Sequence, residues 1–245
     1  MRPPANTVMP DDTHLWWEQL PGEKHFLMLP NADHPLGWHN VNGMGAGNGT
    51  RTFSEAALAF YSSVVGRSVN NRWIDDDRPT MTWEITHSNV GSDDESAQIK
   101  VAGFSANWQQ PVSVKMWHAT TLDNKRRDWR LFDCVHDHGC TQMEADPGRF
   151  PDAGPMPHPC IYKEGPELVL QSHPNGNSSY LAKMKRPANG GWTAFFVAFE
   201  LPPPVGAAKG TPSFHFTTEV AIVPSRMPFE SCAPFGGAHC TDRLV

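Results

Sequence analysis

The chain has 245 residues, 26 acidic against 20 basic side chains, a formal net charge of -6, 23 prolines, nine tryptophans and five cysteines. That length suits one large domain or two modest ones. The acidic balance argues against nucleic acid or an anionic membrane surface as partner, and no apolar run approaches the roughly 18 residues of a membrane span. Cysteines, prolines and two sequons, Asn48-Gly-Thr50 and Asn177-Ser-Ser179, suit an exported protein glycosylated at Asn48 and Asn177. The stretch Met1 to Met9 has one basic residue and no apolar core, so it is not a signal peptide. Together these features predict a piece of a secreted or extracytoplasmic protein whose natural N-terminus lies elsewhere.

In chain order, Asp12 to Leu20 reads as a short helix, capped by Asp12 and stopped by Pro21-Gly22. Phe26 to Leu29 is a short apolar run, which predicts a strand buried on both faces as in a parallel sheet. Pro30 stops it and delivers a polar loop ending in His34. The Gly- and Asn-rich stretch Gly37 to Thr50 reads as a loop. Thr52 and Glu55 then form a capping box. Phe53, Ala56, Ala57, Phe60, Tyr61 and Val64 give an apolar stripe, and Gly66 closes the helix. Helix, buried strand, His-bearing loop and helix is the order of the closing unit of an α/β-hydrolase, where the loop after the last strand carries the general-base histidine.

A boundary follows at Asn70 to Pro79, beyond which the apolar period falls to two. Met81, Trp83 and Ile85 start the series; Ala97, Ile99 and Val101, then Val112, Val114 and Met116, continue it. Leu168 to Leu170, Tyr180 to Met184, Trp192 to Phe199 and Phe214 to Ile222 extend it, with turn signals between. Strands without intervening helical stripes favour an antiparallel sandwich. The predicted class is therefore α+β: the truncated C-terminal end of an α/β-hydrolase fold over 1–72, followed by an antiparallel β-sandwich domain over 73–245.

Met9-Pro-Asp-Asp-Thr-His-Leu-Trp-Trp17, Leu20-Pro-Gly-Glu-Lys24 and Leu29-Pro-Asn-Ala-Asp-His34 resemble the PhoPQ-activated pathogenicity-related protein family, which also takes in the autocrine proliferation repressor of social amoebae. Further similar segments are Lys125-Arg-Arg-Asp-Trp-Arg130, Gly191-Trp-Thr-Ala-Phe-Phe196 and Phe216 to Pro224, with Cys232, Cys240 and the terminal Leu244-Val245. The resemblance covers almost the whole chain but only the C-terminal part of the family's pattern. It implies an α/β-hydrolase-like domain followed by a β-rich region in an exported protein, with the strands and nucleophile of the first domain upstream.

His34 is the sharpest candidate for chemistry, at the position of an acyl-transfer base; the plain alternative is a loop histidine satisfied by backbone. A base needs a nucleophile, and the chain has no Gly-x-Ser-x-Gly. Where the family places an acidic pair, this chain has Ala5-Asn6. Asp11 or Asp12 could orient the imidazole, but Asp12 is better used as a cap. The isolated chain is thus expected to be inactive and to act by binding or signalling through a protein or cell-surface partner. The alternative is a serine hydrolase, esterase- or peptidase-like, whose nucleophile-bearing half lies outside this chain.

Cys134-Val-His-Asp-His-Gly-Cys140 has the residue types of a zinc site. Along a strand its outer thiols would stand about 20 Å apart, so a tight turn is required. A Cys134–Cys140 disulfide needs the same turn and only two groups to meet. Cys232 and Cys240 bracket a Pro-Phe-Gly-Gly loop and form the cleaner bridge, which leaves Cys160 over. No cofactor or metal is expected. The acidic clusters at 75–77 and 93–95 lack the alternation of a calcium loop and read as solvated turns. Lys125 to Arg130 reads as a surface ladder, and Trp83, Trp117 and Trp192 as core.

Overall fold

The computed structural model describes residues 10, 13, 16–30, 46–65, 81–102, 110–121, 124, 127, 129, 162–172, 178–203 and 210–226, and the fold is that of these residues. A short 3-10 turn, Trp17–Gln19, is followed by one helix, α1 (Ala46–Val65). Then come β1 (Thr82–Ser88), β2 (Ser96–Ala102), β3 (Ser113–Thr120), β4 (Lys163–Glu167), β5 (Gln171–Ser172), β6 (Ser178–Lys185), β7 (Thr193–Leu201), β8 (Phe214–Thr217) and β9 (Ala221–Val223). Two sheets result, one in the order β1-β2-β6-β5 and one in the order β4-β3-β7-β8 with β9 also on β7. All pairings are antiparallel. The expected antiparallel, β-rich organisation after residue 79 is what these residues adopt.

The two-residue period explains the first sheet. Trp83 pairs with Val101 and Ile85 with Ile99, and Ile99 and Val101 in turn face Ala182 and Tyr180 of β6. All lie on one face, while Gln98 and Lys100 lie on the other. That apolar face meets Val114 and Met116 of β3 and Phe195, Val197 and Phe199 of β7 in one buried cluster. β7 is buried on its second face too. Ala194 and Phe196 pack there with Trp129, Tyr162, Trp192, Val220 and Ile222. Trp192 is therefore core, as expected, while Trp83 and Trp117 are half-buried. Trp129, read from sequence as part of a surface ladder, is buried, its indole N–H donating to Ala119 O (3.1 Å) with the Arg127 guanidinium over its ring.

Several expectations require correction. The strand expected at Leu168 to Leu170 is the link between β4 and β5. β4 itself is Lys-Glu-Gly-Pro-Glu, which has no apolar alternation and is a strand because it pairs with the edge of β3. Gly165 permits this, since a Cβ there would stand 3.0 Å from Met116 O. The Phe214 to Ile222 run is two strands, broken at Thr218 to Val220. The helix starts six residues before Thr52, so the Thr52–Glu55 box is not its cap. Glu55 instead accepts from Arg51 Nε (2.8 Å), one turn earlier. The backbone of Asn48 lies in this helix rather than in a loop.

Glu95, expected in a solvated turn, is a buried anchor with 1% exposure. Its Oε2 accepts from Gly91 N (2.9 Å) and its Oε1 from Ser225 N (2.7 Å) and Ser225 Oγ (2.9 Å). The β1–β2 turn is thereby fastened to the chain leaving β9. Burial pushes the carboxyl up, but the Ser225 and Gly91 donors, with His87 at 3.9 Å, outweigh it and hold it below its ordinary value. Glu95→Ala leaves three donors without their acceptor and should cost about 3 kcal/mol in urea unfolding. Because the folded-state value is depressed, the wild-type contribution should be complete above the ordinary carboxyl value of 4.5 and decline as pH falls below it. A wild-type-minus-variant difference that stays flat from pH 6 to pH 3 would contradict the assignment.

Candidate functional site

In the stretch leading to His34, residues 20 to 30 form a strap without strand structure, so the strand expected at Phe26 to Leu29 is absent. The strap meets the second sheet at β8. It begins at the 3-10 turn, where Trp16 N donates to Thr13 O (3.1 Å) and buried Trp17 meets Trp83 of β1 (5.6 Å between centroids) and Phe26 (5.7 Å). Lys24 closes this turn. Its ammonium donates to Trp17 O (2.5 Å) and Leu20 O (3.3 Å) and lies 5.2 Å from the Trp17 ring centre. The Trp83 indole donates to Glu219 Oε2 (3.2 Å), so one aromatic group ties the strap to both sheets.

The apolar run Phe26 to Leu29 was expected to be buried on both faces; it is half-buried, and it lies along the free edge of β8. Thr217 N donates to Phe26 O (2.8 Å), and Thr217 Oγ1 accepts from Met28 N (2.8 Å). Met28 packs onto the second-face core of β7. The apolar run therefore forms no strand: it meets β8 through one backbone hydrogen bond and the Thr217 hydroxyl.

Two imidazoles lie at β8, His215 within it and His25 beside it. His25 lies on Phe216 (4.9 Å between centroids, 30° between planes) and edge-on to Phe60 of α1 (5.3 Å), with Nε2 2.7 Å from Glu23 Oε1. His215 Nε2 stands 3.4 Å from Glu55 Oε2. The hydrogen bond from Arg51, opposed by partial burial and assisted by the Arg51 charge and His215, holds the Glu55 carboxyl below its ordinary value. The nearby hydroxyls carry structural bonds. Thr217 Oγ1 is engaged as described, Thr218 Oγ1 accepts from Val197 N (3.1 Å) and donates to Glu219 O (2.8 Å), and Ser63 Oγ donates to Phe60 O (2.6 Å). Among the described residues no three His, Cys, Asp or Glu side chains converge as metal ligands, and no helix is long and apolar enough to cross a membrane.

The sequence-predicted residues His34, Cys134, Cys140, Cys160, Cys232, Cys240 and Asn177 lie outside the described residues, as does the side chain of Asn48. The last described residue of the strap is Pro30, four positions before His34. His25, His215 and the Thr217–Thr218 pair, not singled out from the sequence, meet here with Glu55, which is read there only as part of a capping box. For His215, Thr217 and Thr218 the one signal is the interruption of the apolar period in Phe214-His-Phe-Thr-Thr-Glu219.

Residues 6–130 match the family described as PhoPQ-activated pathogenicity-related protein. The chain belongs to this family. It is also 26% identical over 229 residues to the autocrine proliferation repressor protein A of Dictyostelium discoideum, an alignment covering 93% of this chain and 37% of the relative. This PhoPQ-related chain thus spans little more than a third of that relative's length. No solved structure matches it.

The Thr217 pairing gives a direct test of the strap. Thr217→Val removes the acceptor of the Met28 amide while keeping the side-chain shape. It should cost about 1–2 kcal/mol and speed amide exchange at Met28 about tenfold or more. Unchanged exchange at Met28 would mean that the strap is not held by this contact.

Proposed function

We propose that this chain is the β-rich C-terminal part of an exported PhoPQ-related protein and acts by binding or signalling rather than by catalysis on its own. The signalling element of this reading comes from the relative, whose name describes an autocrine proliferation repressor. The observation that supports a non-catalytic role is the use of hydroxyls around the strap that precedes His34. Thr217, Thr218 and Ser63 each spend their oxygen on backbone partners, so none is poised as the nucleophile of a base. In this reading the two sheets form a β-sandwich over 73–245, and 1–72 is the closing unit of an α/β-hydrolase-like domain whose other strands lie elsewhere in the protein. His34 then occupies the base position without its partners. The second reading, a serine hydrolase whose nucleophile-bearing half lies outside this chain, is supported by the sequence position of His34 shortly after the apolar run Phe26 to Leu29.

A fluorophosphonate probe separates the two. The isolated chain should label no more than a heat-denatured control. Labelling that His34→Ala abolishes would establish an active site within 1–245. We also propose the bridge Cys232–Cys240 and a second one between Cys134 and Cys140. Chain secreted through an oxidising compartment and unfolded without reductant should show one reactive thiol, from Cys160. Five reactive thiols would remove both bridges.

A further inference from the structure

The helix α1 is docked the unexpected way round. A surface helix normally turns its large apolar stripe to the core. Here the core side is small and polar: Ala56, Ala59 and Ser63 are buried, with Ala59 against Leu201, Phe214 and Phe216. The large side chains are exposed, Phe53 47%, Leu58 55% and Tyr61 63%, and Phe60 is 40% exposed although its edge meets His25. The helix has two charged side chains, Arg51 and Glu55, and they pair with each other (2.8 Å). The outward face is therefore mainly aromatic and apolar, which is how a helix reads when it is packed on both sides. Ser54 lies within it, and the exposed Arg51, paired to Glu55, lies at its border.

We propose that this face is an intramolecular docking surface, covered in the longer proteins of the family by an apolar surface of the polypeptide outside the matched region. This rests on the reading that the chain is one part of a longer protein. Two observations select this occupant. The relative aligned here has 37% of its length within the match, so nearly two-thirds of it is available to supply a covering body. The size of the face also matters. A helix of 20 residues is about 30 Å long and about 10 Å wide, so one side presents roughly 300 Å2. That is well below the roughly 800 Å2 per partner of a stable interface between separate chains. Within one polypeptide the same contact suffices, because linkage supplies a high effective concentration and association entropy is not lost again.

Tyrosine nitration reads the face directly, because of the three tyrosines Tyr162 and Tyr180 are buried and Tyr61 is exposed. Tetranitromethane should modify Tyr61 readily in the isolated chain, which should also sediment as a monomer at micromolar concentration. In a full-length protein made by placing this chain in the matched region of the Dictyostelium relative, Tyr61 should react at least tenfold more slowly. Equal reactivity in the two would overturn the proposal. A stable dimer of the isolated chain with Tyr61 protected would overturn it too, by making a second copy the occupant. Should the chimaera fail to fold, the variant Phe53→Ser, Leu58→Ser, Tyr61→Ser decides. The proposal expects the unfolding midpoint of the isolated chain to be unchanged, and a clear fall would show that this chain covers the face itself. Fluorophosphonate labelling reports on the functional reading whatever Tyr61 does, so the two can fail separately.

Discussion

Burial of β7 on both faces is the constraint on which the rest of the structure depends. Phe195, Val197 and Phe199 need cover on one side, and Ala194 and Phe196 on the other. The first sheet supplies the first cover. The second is assembled from irregular pieces: Trp129, Tyr162, Trp192, the Val220–Ile222 run and Met28 of the strap. Each large apolar side chain fully removed from water contributes about 1.5–3 kcal/mol before chain entropy is subtracted. A strand made apolar on consecutive positions therefore recruits whatever segments can reach it.

The strap and α1 follow from that arrangement. β8 and β9 share one edge of β7, since Phe214–Thr217 pairs with its C-terminal half and Ala221–Val223 with its N-terminal half. The chain must change alignment between them, and Thr218 manages this with a hydroxyl bonded to Val197 N and to Glu219 O. The far edge of β8 is left open by this geometry, and Phe26 to Met28 occupy it. Glu95 does comparable work at the opposite end, where a carboxylate with three donors holds a turn and a strand exit together in a dry site.

What was legible in the sequence follows from period and burial. β1, β2 and β6 alternate cleanly because one face meets the core and the other meets water, and their positions could be read almost to the residue. β4 could not be read, because an edge strand such as Lys-Glu-Gly-Pro-Glu is specified by its partner rather than its own pattern. The apolar stripe of α1 was recognised as a stripe, but its direction was not. Amphipathicity says which residues avoid water in the complete molecule, not which neighbour covers them. Glu95 was hidden for a related reason: three donors from Gly91 and Ser225 become its solvent only after the chain has folded. Around His34, the sequence supplied a residue and a family position, and the described structure supplies the strap that carries the chain toward it.

The central claim is that strap, helix and both sheets are one cooperative unit built around β7, although 1–72 and 73–245 read as separate regions in the sequence. Native-state amide exchange under increasing urea tests this most directly. The amides of Met28 in the strap and Ala59 in α1 should merge, with rising urea, into the same global opening as Val197 in β7. Exchange at Met28 and Ala59 that stays fast and insensitive to urea while Val197 remains protected would show that the strap and helix are appended to the sheets, and would contradict the claim.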